Sequence, residues 1–516
     1  MRIRIVGLAA LFALGAAACL GDPNDPLTWA KKLKDLREQK EALDRLANMD
    51  TERARPAVPY LIDLYKSSGR KPEHLEALAR FKDPETKPLM LEALDYSDDD
   101  FDRAVIAASV LGEMKATDAV DPLIKAMEKP LPIKSRANNV RVAAIRALVK
   151  IGDKRAVEPL SKILMTSADE QDFLLNQKAA LALAELRDPA SVPALIKGLF
   201  MTGRGADIFQ ECRLGLVRIG EPSVQPLIQL LDDQNPEIRV MAKQQNFKPG
   251  IVPHKAAIVL EDLRAKKAVP RLIAHLSMPE ASGEHSTFII ALGFIGTPQA
   301  VDSLMAIAKN PKASPRLRAA ASDGLYLSGD KRAVGILMDL AKSGYVKLPD
   351  GRKASDLRAN AAIDLSRIAG REHFDSFKAL AEKETDVQGP FGEALDRLQV
   401  AKECGNNLAC YGKKLTDPSW PRAEKAAFAI GFSGDKNGIP LLLAAMKPVA
   451  SMQPERFPVH QAILYALARL GSKSCADCET SLLKQIERDE KAVRIPGARD
   501  LLAETRVTLA VIQNKS

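Results

Sequence analysis

Four of the six cysteines form two local pairs, and thiols this close can form a disulfide, exchange one or bind a metal. Cys404 and Cys410 lie in ECGNNLACYGKKL, and Cys475 and Cys478 lie in GSKSCADCETSLL. Because the chain begins with an export signal, described below, disulfides are permitted. We therefore predict one disulfide within each pair, as a staple across a turn.

Two other chemistries for these thiols are weaker. Cys475 and Cys478 have the spacing of a thiol-exchange motif, but such motifs belong to a strand–helix–strand setting that the sequence does not predict. A zinc ion needs four ligands together, whereas the two pairs lie about two repeats apart in a stack whose helix layers are roughly 8–10 Å apart. Cys212 has an apolar helical spacing in QECRLGLVRIG, which predicts a buried core thiol.

No other residues combine into a reactive set. A metal site needs convergent ligands, and most of the six histidines lie in different parts of the chain: His74, His254, His275, His285, His373 and His460. The sequence contains no phosphate-binding loop, nucleophile elbow or dinucleotide fingerprint. We therefore predict no catalytic, cofactor-binding or metal-binding residue, and no enzyme.

Residues 1–19, MRIRIVGLAALFALGAAAC, have the layout of an export signal. Their apolar run is shorter than the about 20 residues that a transmembrane helix needs. Small residues before Cys19 resemble the bacterial lipoprotein signal, which implies removal of residues 1–18 and lipidation of Cys19. Ala16 departs from that pattern, because the family usually has Leu there. Ordinary signal peptidase could cut the same bond and release a secreted protein with a free Cys19.

A repeated pattern fills the chain after a short tether at residues 19–27. An amphipathic helix ends at a glycine turn, and a small-Val-x-Pro-Leu motif opens the next helix. The key aliphatics recur at intervals of 32 to 45 residues at Val120, Val157, Val192, Val224, Val269, Val301 and Val334, with a late copy at Ile439. A period of this size indicates roughly thirteen stacked helix pairs, an all-α solenoid.

The turns IGDKRAVEPLSKIL and SGDKNGIPLLLAAM are typical of this pattern, which resembles the HEAT-repeat family and its phycobilisome-lyase branch. The resemblance covers about residues 36–512. It implies a superhelical protein-binding scaffold, with an enzyme of the phycobilin lyase type as the alternative. No catalytic residue of that branch can be placed on this chain. We expect a repeat array at residues 28–390, and further repeats with a capping helix at 391–516.

The formal charge of +9 falls to 9 − 2 = +7 once Arg2 and Arg4 are removed with the signal. This excess is too diffuse for a nucleic-acid binder. Several loops between helix pairs are nevertheless long and basic, and loops on one edge of a solenoid often bind its partner. The predicted partner-binding residues are Lys129, Lys134, Arg136, Lys248, Lys255, Lys347, Arg352, Lys353, Lys447 and Arg456.

This basic edge predicts an acidic partner, either a protein or an anionic lipid or glycan of the envelope. The alternative is that exposed loops favour lysine for solubility. Our prediction is a non-catalytic scaffold that is anchored to a bacterial membrane through Cys19 and binds other proteins. A structural spacer without a specific ligand stays open as a further alternative.

Overall fold

The computed structural model describes residues 22–97, 99–203, 205–232, 234–278, 284–343, 357–384, 389–492 and 497–515. Cys19 and the export signal lie outside these residues. The chain divides into two compact units, Met1–Leu186 and Arg187–Ser516. Among the described residues, no helix is both long and apolar enough to cross a bilayer.

The first unit is a stack of antiparallel helices. Neighbouring helices pack along the sequence, and α5, α7, α9 and α11 also pack on one another in turn. Its helices are α1 Pro26–Lys32, α2 Gln39–Asn48, α3 Thr51–Ala54, α4 Val58–Ser67, α5 Pro72–Ala79, α6 Lys87–Ala93, α7 Asp102–Glu113, α8 Val120–Glu128, α9 Asn138–Ile151, α10 Val157–Met165 and α11 Phe173–Leu186.

The turn within each pair follows from its residues. Gly152 ends α9 with φ of 75°, a conformation that costs glycine little. The Asp153 side chain then accepts a hydrogen bond from the backbone N–H of Arg155, and α10 begins at Val157. Helices start at six of the eight key aliphatics, whereas Val301 lies one turn inside α19 and Val334 is the second residue of α21. The leucines three residues after the key aliphatics, such as Leu160, are fully buried as predicted.

The second unit continues the same pairing with longer connections. A short antiparallel hairpin joins β1 Thr202–Gly203 to β2 Ala206–Asp207. The helices are α12 Val192–Gly198, α13 Phe209–Ile219, α14 Val224–Leu231, α15 Pro236–Gln244, α16 Ile251–Asp262, α17 Val269–His275, α18 Glu284–Ile295, α19 Pro298–Lys309, α20 Pro315–Ser328, α21 Ala333–Lys342, α22 Leu357–Ile368, α23 Phe374–Ala381, α24 Pro390–Cys404, α25 Leu408–Lys414, α26 Trp420–Ser433, α27 Ile439–Ala445, α28 Phe457–Leu470, α29 Ala476–Asp489 and α30 Ala498–Asn514.

The inner helices of this second unit form a closed ring. Each packs on the next in the order α13, α16, α18, α20, α22, α24, α26, α28 and α30, and α30 packs back on α13. The all-α solenoid prediction is confirmed. The predicted capping helix does more than cover the last repeat, because α30 joins the end of the unit to its beginning. The predicted boundary at residue 390 falls between α23 and α24, which pack on each other.

Close helix packing in the ring depends on Gly293, where α18 crosses α20. A Cβ atom at Gly293 would lie 2.6 Å from the Gly324 Cα atom, closer than packed atoms tolerate. We expect Gly293→Ala to lower the free energy of unfolding by about 1–3 kcal/mol, as overpacking does. Gly335→Ala on α21 is the matched control, because a Cβ there meets nothing within 4 Å.

That control should stabilise the protein by roughly 0.5–1 kcal/mol, since alanine is the better helix former. Thermal denaturation of both variants checks the prediction. Equal melting temperatures for the two would show that α18 and α20 are not in close contact.

Candidate binding surfaces

The predicted basic edge is present in part. Lys134, Arg136, Lys248 and Lys447 are exposed on loops between helix pairs. Lys347, Arg352 and Lys353 lie outside the described residues. Lys134 and Arg136 belong to the first unit, whereas Lys248 and Lys447 belong to the second.

Two of the predicted residues hold loops in place. The Lys129 ammonium donates to the Tyr96 carbonyl and lies 4.5 Å from the centre of the Tyr96 ring. Arg456 donates to the carbonyl oxygens of Leu415 and Asp417 at 3.3 and 2.6 Å. Both side chains are half-buried, so much of their hydrogen-bonding capacity is used inside the protein.

The placement of Lys255 on a loop was wrong. Lys255 lies within α16 and is buried, and its ammonium donates to the Leu199 carbonyl at 2.6 Å. It also faces the rings of Phe209 and Phe247 at 4.9 and 4.5 Å. Burial lowers the pKa of Lys255 to about 8. The residue is therefore a structural cation and contributes nothing to an exposed edge.

Some of the basic residues near these loops are arginines with a structural role that recurs from pair to pair. Arginines in the first turns of inner helices donate through Nε to carbonyls at or near the ends of the preceding outer helices. These bonds join Arg141 to Met127 at 2.7 Å, Arg318 to Ala308 at 3.0 Å and Arg358 to Ala341 at 3.1 Å. Helix C-termini leave such carbonyls unpaired and favour positive charge.

A cavity of about 410 Å³, here called the loop pocket, opens between two neighbouring loops of this edge. Its walls are the loop at residues 415–418 after α25, the loop at 445–456 after α27, and the first turns of α28. Lys447, Arg456 and His460 line it. The predicted residues Lys447 and Arg456 are thus brought together, and His460, for which the sequence predicts no role, lines the same pocket.

A second cavity, here called the central cavity, lies inside the ring and measures about 460 Å³. Aromatic side chains from facing inner helices meet around it. The centroids of Phe294 and Tyr465 are 5.5 Å apart, as are those of Tyr326 and Phe428. The Tyr465 hydroxyl also donates to the Leu327 carbonyl, so α28 is bonded directly to α20.

Two arginines and four carboxyl side chains give the central cavity its polarity, the carboxyls being those of Glu261, Asp262, Glu424 and Glu504. Arg264 lies 4.7 Å from the centre of the Phe294 ring, and Arg367 lies at the same distance from Tyr326. Burial, reinforced by the neighbouring Asp262, raises the pKa of the Glu261 carboxyl to about 8. Glu261 is therefore largely protonated at neutral pH, and the cavity can accept an amphipathic ligand with a polar group.

Buried ion pairs join inner helices at two places, and the first of them closes the ring. Arg213 on α13 donates to Asp262 at 2.6 and 2.8 Å and to Glu504 on α30 at 2.7 Å. Glu424 on α26 accepts from Arg367 at 3.0 Å and from Arg397 at 2.7 Å. Most of these groups are nearly inaccessible to solvent, so their pairing holds inner helices to one another.

The structure contains both predicted disulfides, Cys404–Cys410 and Cys475–Cys478. Cys404–Cys410 joins the last residue of α24 to the first turn of α25. Cys475–Cys478 joins the N-cap of α29 to the first turn of the same helix. Cys212 is fully buried as predicted, and burial raises the pKa of its thiol. Among the described residues, no cluster of histidine, cysteine, aspartate and glutamate could hold a metal ion.

The residues that close the ring could not be predicted from the sequence. Arg213 and Glu504 are far apart in sequence, and no local spacing joins them. One signal was available, because Arg213 follows Cys212 within a helix whose other residues are largely apolar. A charge at such a position indicates a buried partner, without indicating which residue supplies it.

Comparison with known proteins supports the repeat architecture. Residues 105–172 and 131–205 match a family model described as HEAT repeats. No curated protein matches the chain. One similar solved structure is the complex of CpcE and CpcF of phycocyanin lyase from Nostoc sp. PCC7120, at 26% identity and a TM-score of 0.25. The match covers 49% of this chain and 92% of the other.

Yeast importin-beta is similar at 10% identity and a TM-score of 0.32, over 98% of this chain and 86% of its own. Human deoxyhypusine hydroxylase is similar at 19% identity and a TM-score of 0.20, over 61% and 99%. At these TM-scores the similarity carries no functional argument.

Proposed function

Because the chain is a HEAT-type repeat protein, we propose that it is a non-catalytic scaffold of the bacterial envelope that binds a protein partner through its loop edge, the edge formed by the basic loops between helix pairs. The closed ring of the second unit is the observation that supports this proposal. Open solenoids bind partners on their concave surface. Here the inner helices face one another, with Phe294 against Tyr465 and Tyr326 against Phe428.

The central cavity is too small for a segment of folded protein. A helix with its side chains is about 10–12 Å wide, whereas the cavity holds about 460 Å³. A protein partner must therefore use an outer surface of this unit. The edge between helix pairs supplies long loops with exposed lysines such as Lys248 and Lys447, which fit an acidic partner.

Anchoring is part of the same proposal. Removal of residues 1–18 and acylation of Cys19 would place the scaffold at a membrane surface, since several acyl chains give stable attachment. Mass spectrometry of the N-terminal peptide tests this point. An acylated Cys19 supports the anchor, and an unmodified thiol supports a secreted protein.

Charge reversal tests the loop edge. We expect Lys347→Glu/Arg352→Glu/Lys353→Glu to weaken capture of the partner in native envelopes by roughly tenfold, because opposite charges across an interface steer and retain the complex. Lys331→Glu is the matched control. Lys331 is exposed on the turn that opens α21, whereas the triple substitution lies in the segment after α21.

Quantitative crosslinking and affinity purification would measure the captured partner in each variant. Equal loss from the triple variant and from Lys331→Glu would show a general charge effect. Unchanged capture in the triple variant would count against the loop edge.

A second candidate function is the binding or conversion of a small molecule in the central cavity. The observation that favours it is the Glu261 carboxyl, which lines the cavity among aromatic side chains. This candidate includes the phycobilin lyase-type enzyme. Native mass spectrometry and visible absorption of the purified chain test it, because a bound chromophore would support an enzyme and would argue against a pure scaffold.

A further inference from the structure

His460 is buried without any hydrogen-bond partner in the described part of the chain. The side chain is 2% exposed, and both Nδ1 and Nε2 are unpaired there. A neutral imidazole carries one donor and one acceptor. Leaving such groups unpaired costs about 1–3 kcal/mol each, so native proteins rarely retain them without a reason.

The environment of His460 indicates what is missing. Burial lowers the pKa of His460 to about 4, so the ring is neutral at neutral pH and can donate one N–H. It lines the loop pocket together with Lys447, which is exposed, and Arg456, which joins the pocket's two loops. A group that accepts hydrogen bonds and carries negative charge would satisfy both the imidazole and these cations.

Asp417, the acidic residue that lines the loop pocket, does not neutralise the positive charge of Lys447 and Arg456. Asp417 accepts from Arg422 at 3.2 Å and lies 3.8 Å from the Lys414 ammonium. Asp489 is buried nearby, where it accepts from the Val449 backbone N–H and the Gln485 amide at 2.9 and 2.7 Å. Lys447 and Arg456 therefore leave the pocket with a net positive charge at its opening.

We propose that the loop pocket receives a carboxylate side chain from an acidic segment of the partner protein, with His460 donating to it and Lys447 supplying the opposing charge. This inference rests on the proposed scaffold function and specifies the chemistry of its partner. A volume of about 410 Å³ accommodates a side chain and its neighbours in an extended segment. An apolar group would leave His460 unpaired, and a cation would be repelled by Lys447 and Arg456.

Fluorescence anisotropy with labelled hexaglutamate and the purified full chain tests the pocket directly. We expect saturable binding that Lys447→Glu weakens by roughly tenfold, because it reverses the charge that faces the ligand. His460→Leu should weaken binding by a similar factor, because it removes the hydrogen-bond donor of the pocket. Lys436→Glu is the matched control and should leave the affinity unchanged. Lys436 is exposed on the turn of the same helix pair, at the opposite end of α27.

A second readout keeps the test valid if His460→Leu alters folding. The ring nitrogen resonances of His460 in the ¹⁵N-histidine-labelled chain should shift on saturation with hexaglutamate and stay unchanged with hexaserine. Resonances that do not move, or equal affinity of the chain and its Lys447→Glu variant for hexaglutamate, would overturn the proposal. A water-filled pocket would give that result.

Failure of this inference is distinguishable from failure of the scaffold function. Lys447→Glu could leave partner capture in envelopes intact while the triple substitution at residues 347, 352 and 353 abolishes it. In that case the partner binds the loop edge, and the assignment of the loop pocket is wrong.

Discussion

Replacing Arg213 with methionine should be among the most destabilising single substitutions in the second unit, at about 3–5 kcal/mol of its free energy of unfolding. The guanidinium pairs with Asp262 and Glu504 and is 7% exposed, while Asp262 is 9% exposed. Methionine fills a similar volume but leaves two carboxylates facing each other with their shared cation removed. The contact of α13 with α30 closes the ring, so its loss should open the ring at that point.

Urea unfolding checks this prediction. The chain has two tryptophans, Trp29 in the first unit and Trp420 in the second. In a Trp29→Phe background, Trp420 fluorescence reports on the second unit alone. Arg332→Met is the control, because Arg332 pairs with Asp302 on the surface at 2.9 Å with both side chains more than half exposed.

Exposed pairs contribute about 1 kcal/mol or less, so the control should unfold almost as the natural chain does. If Arg213→Met lowers the free energy of unfolding by no more than Arg332→Met does, the junction of α13 and α30 contributes little to the stability of the ring.

Glu424→Ala should have an effect of the same order, about 3–5 kcal/mol, because it removes the counter-ion of two arginines. Glu424 accepts from Arg367 and Arg397, and Arg397 is fully buried. Without Glu424, the acidic partner that Arg397 keeps among the described residues is Glu393, at 3.3 Å and partly exposed. An uncompensated guanidinium would then remain in the core where α24 packs on α26.

The same Trp420 assay measures this change, and Glu382→Ala is its control. Glu382 pairs with Lys378 on the surface at 3.7 Å. The double variant Glu424→Leu/Arg397→Met should lose less stability than the sum of its single variants, because both buried charges are removed together. Additive losses would show that the two groups are not coupled.

The repeat unit could be predicted from the sequence, but the closed ring could not. Gly152, Asp153 and Val157 specify their turn locally, and the same chemistry recurs in most helix pairs, so the solenoid could be predicted. Both disulfides could be predicted because each pair lies within one turn. The ring depends on how far each pair rotates relative to the last, which is a property of side-chain packing with no local signature.

For individual residues of the basic edge, the sequence also did not show which side chains are exposed. Lys255 and Lys447 are both lysines in or next to a long connection, but Lys255 lies within a helix and donates to Leu199, whereas Lys447 is exposed. Charge alone does not separate a lysine that binds a carbonyl from one that faces solvent. The sequence predicted no role for His460, because a single histidine on an apolar helix face is usually a core residue whose ring nitrogens are hydrogen-bonded.

We propose that a protein partner binds the loop edge of the second unit, because the inner helices of the ring pack on one another and leave no room for it. Crosslinking mass spectrometry in native envelopes tests it most directly. We predict that crosslinks to the partner map to Lys248, Lys447 and the lysines of residues 344–356, and that Lys331 and Lys436 on the opposite turns give none. Partner crosslinks concentrated on Lys331 and Lys436 would show that the partner binds the opposite edge.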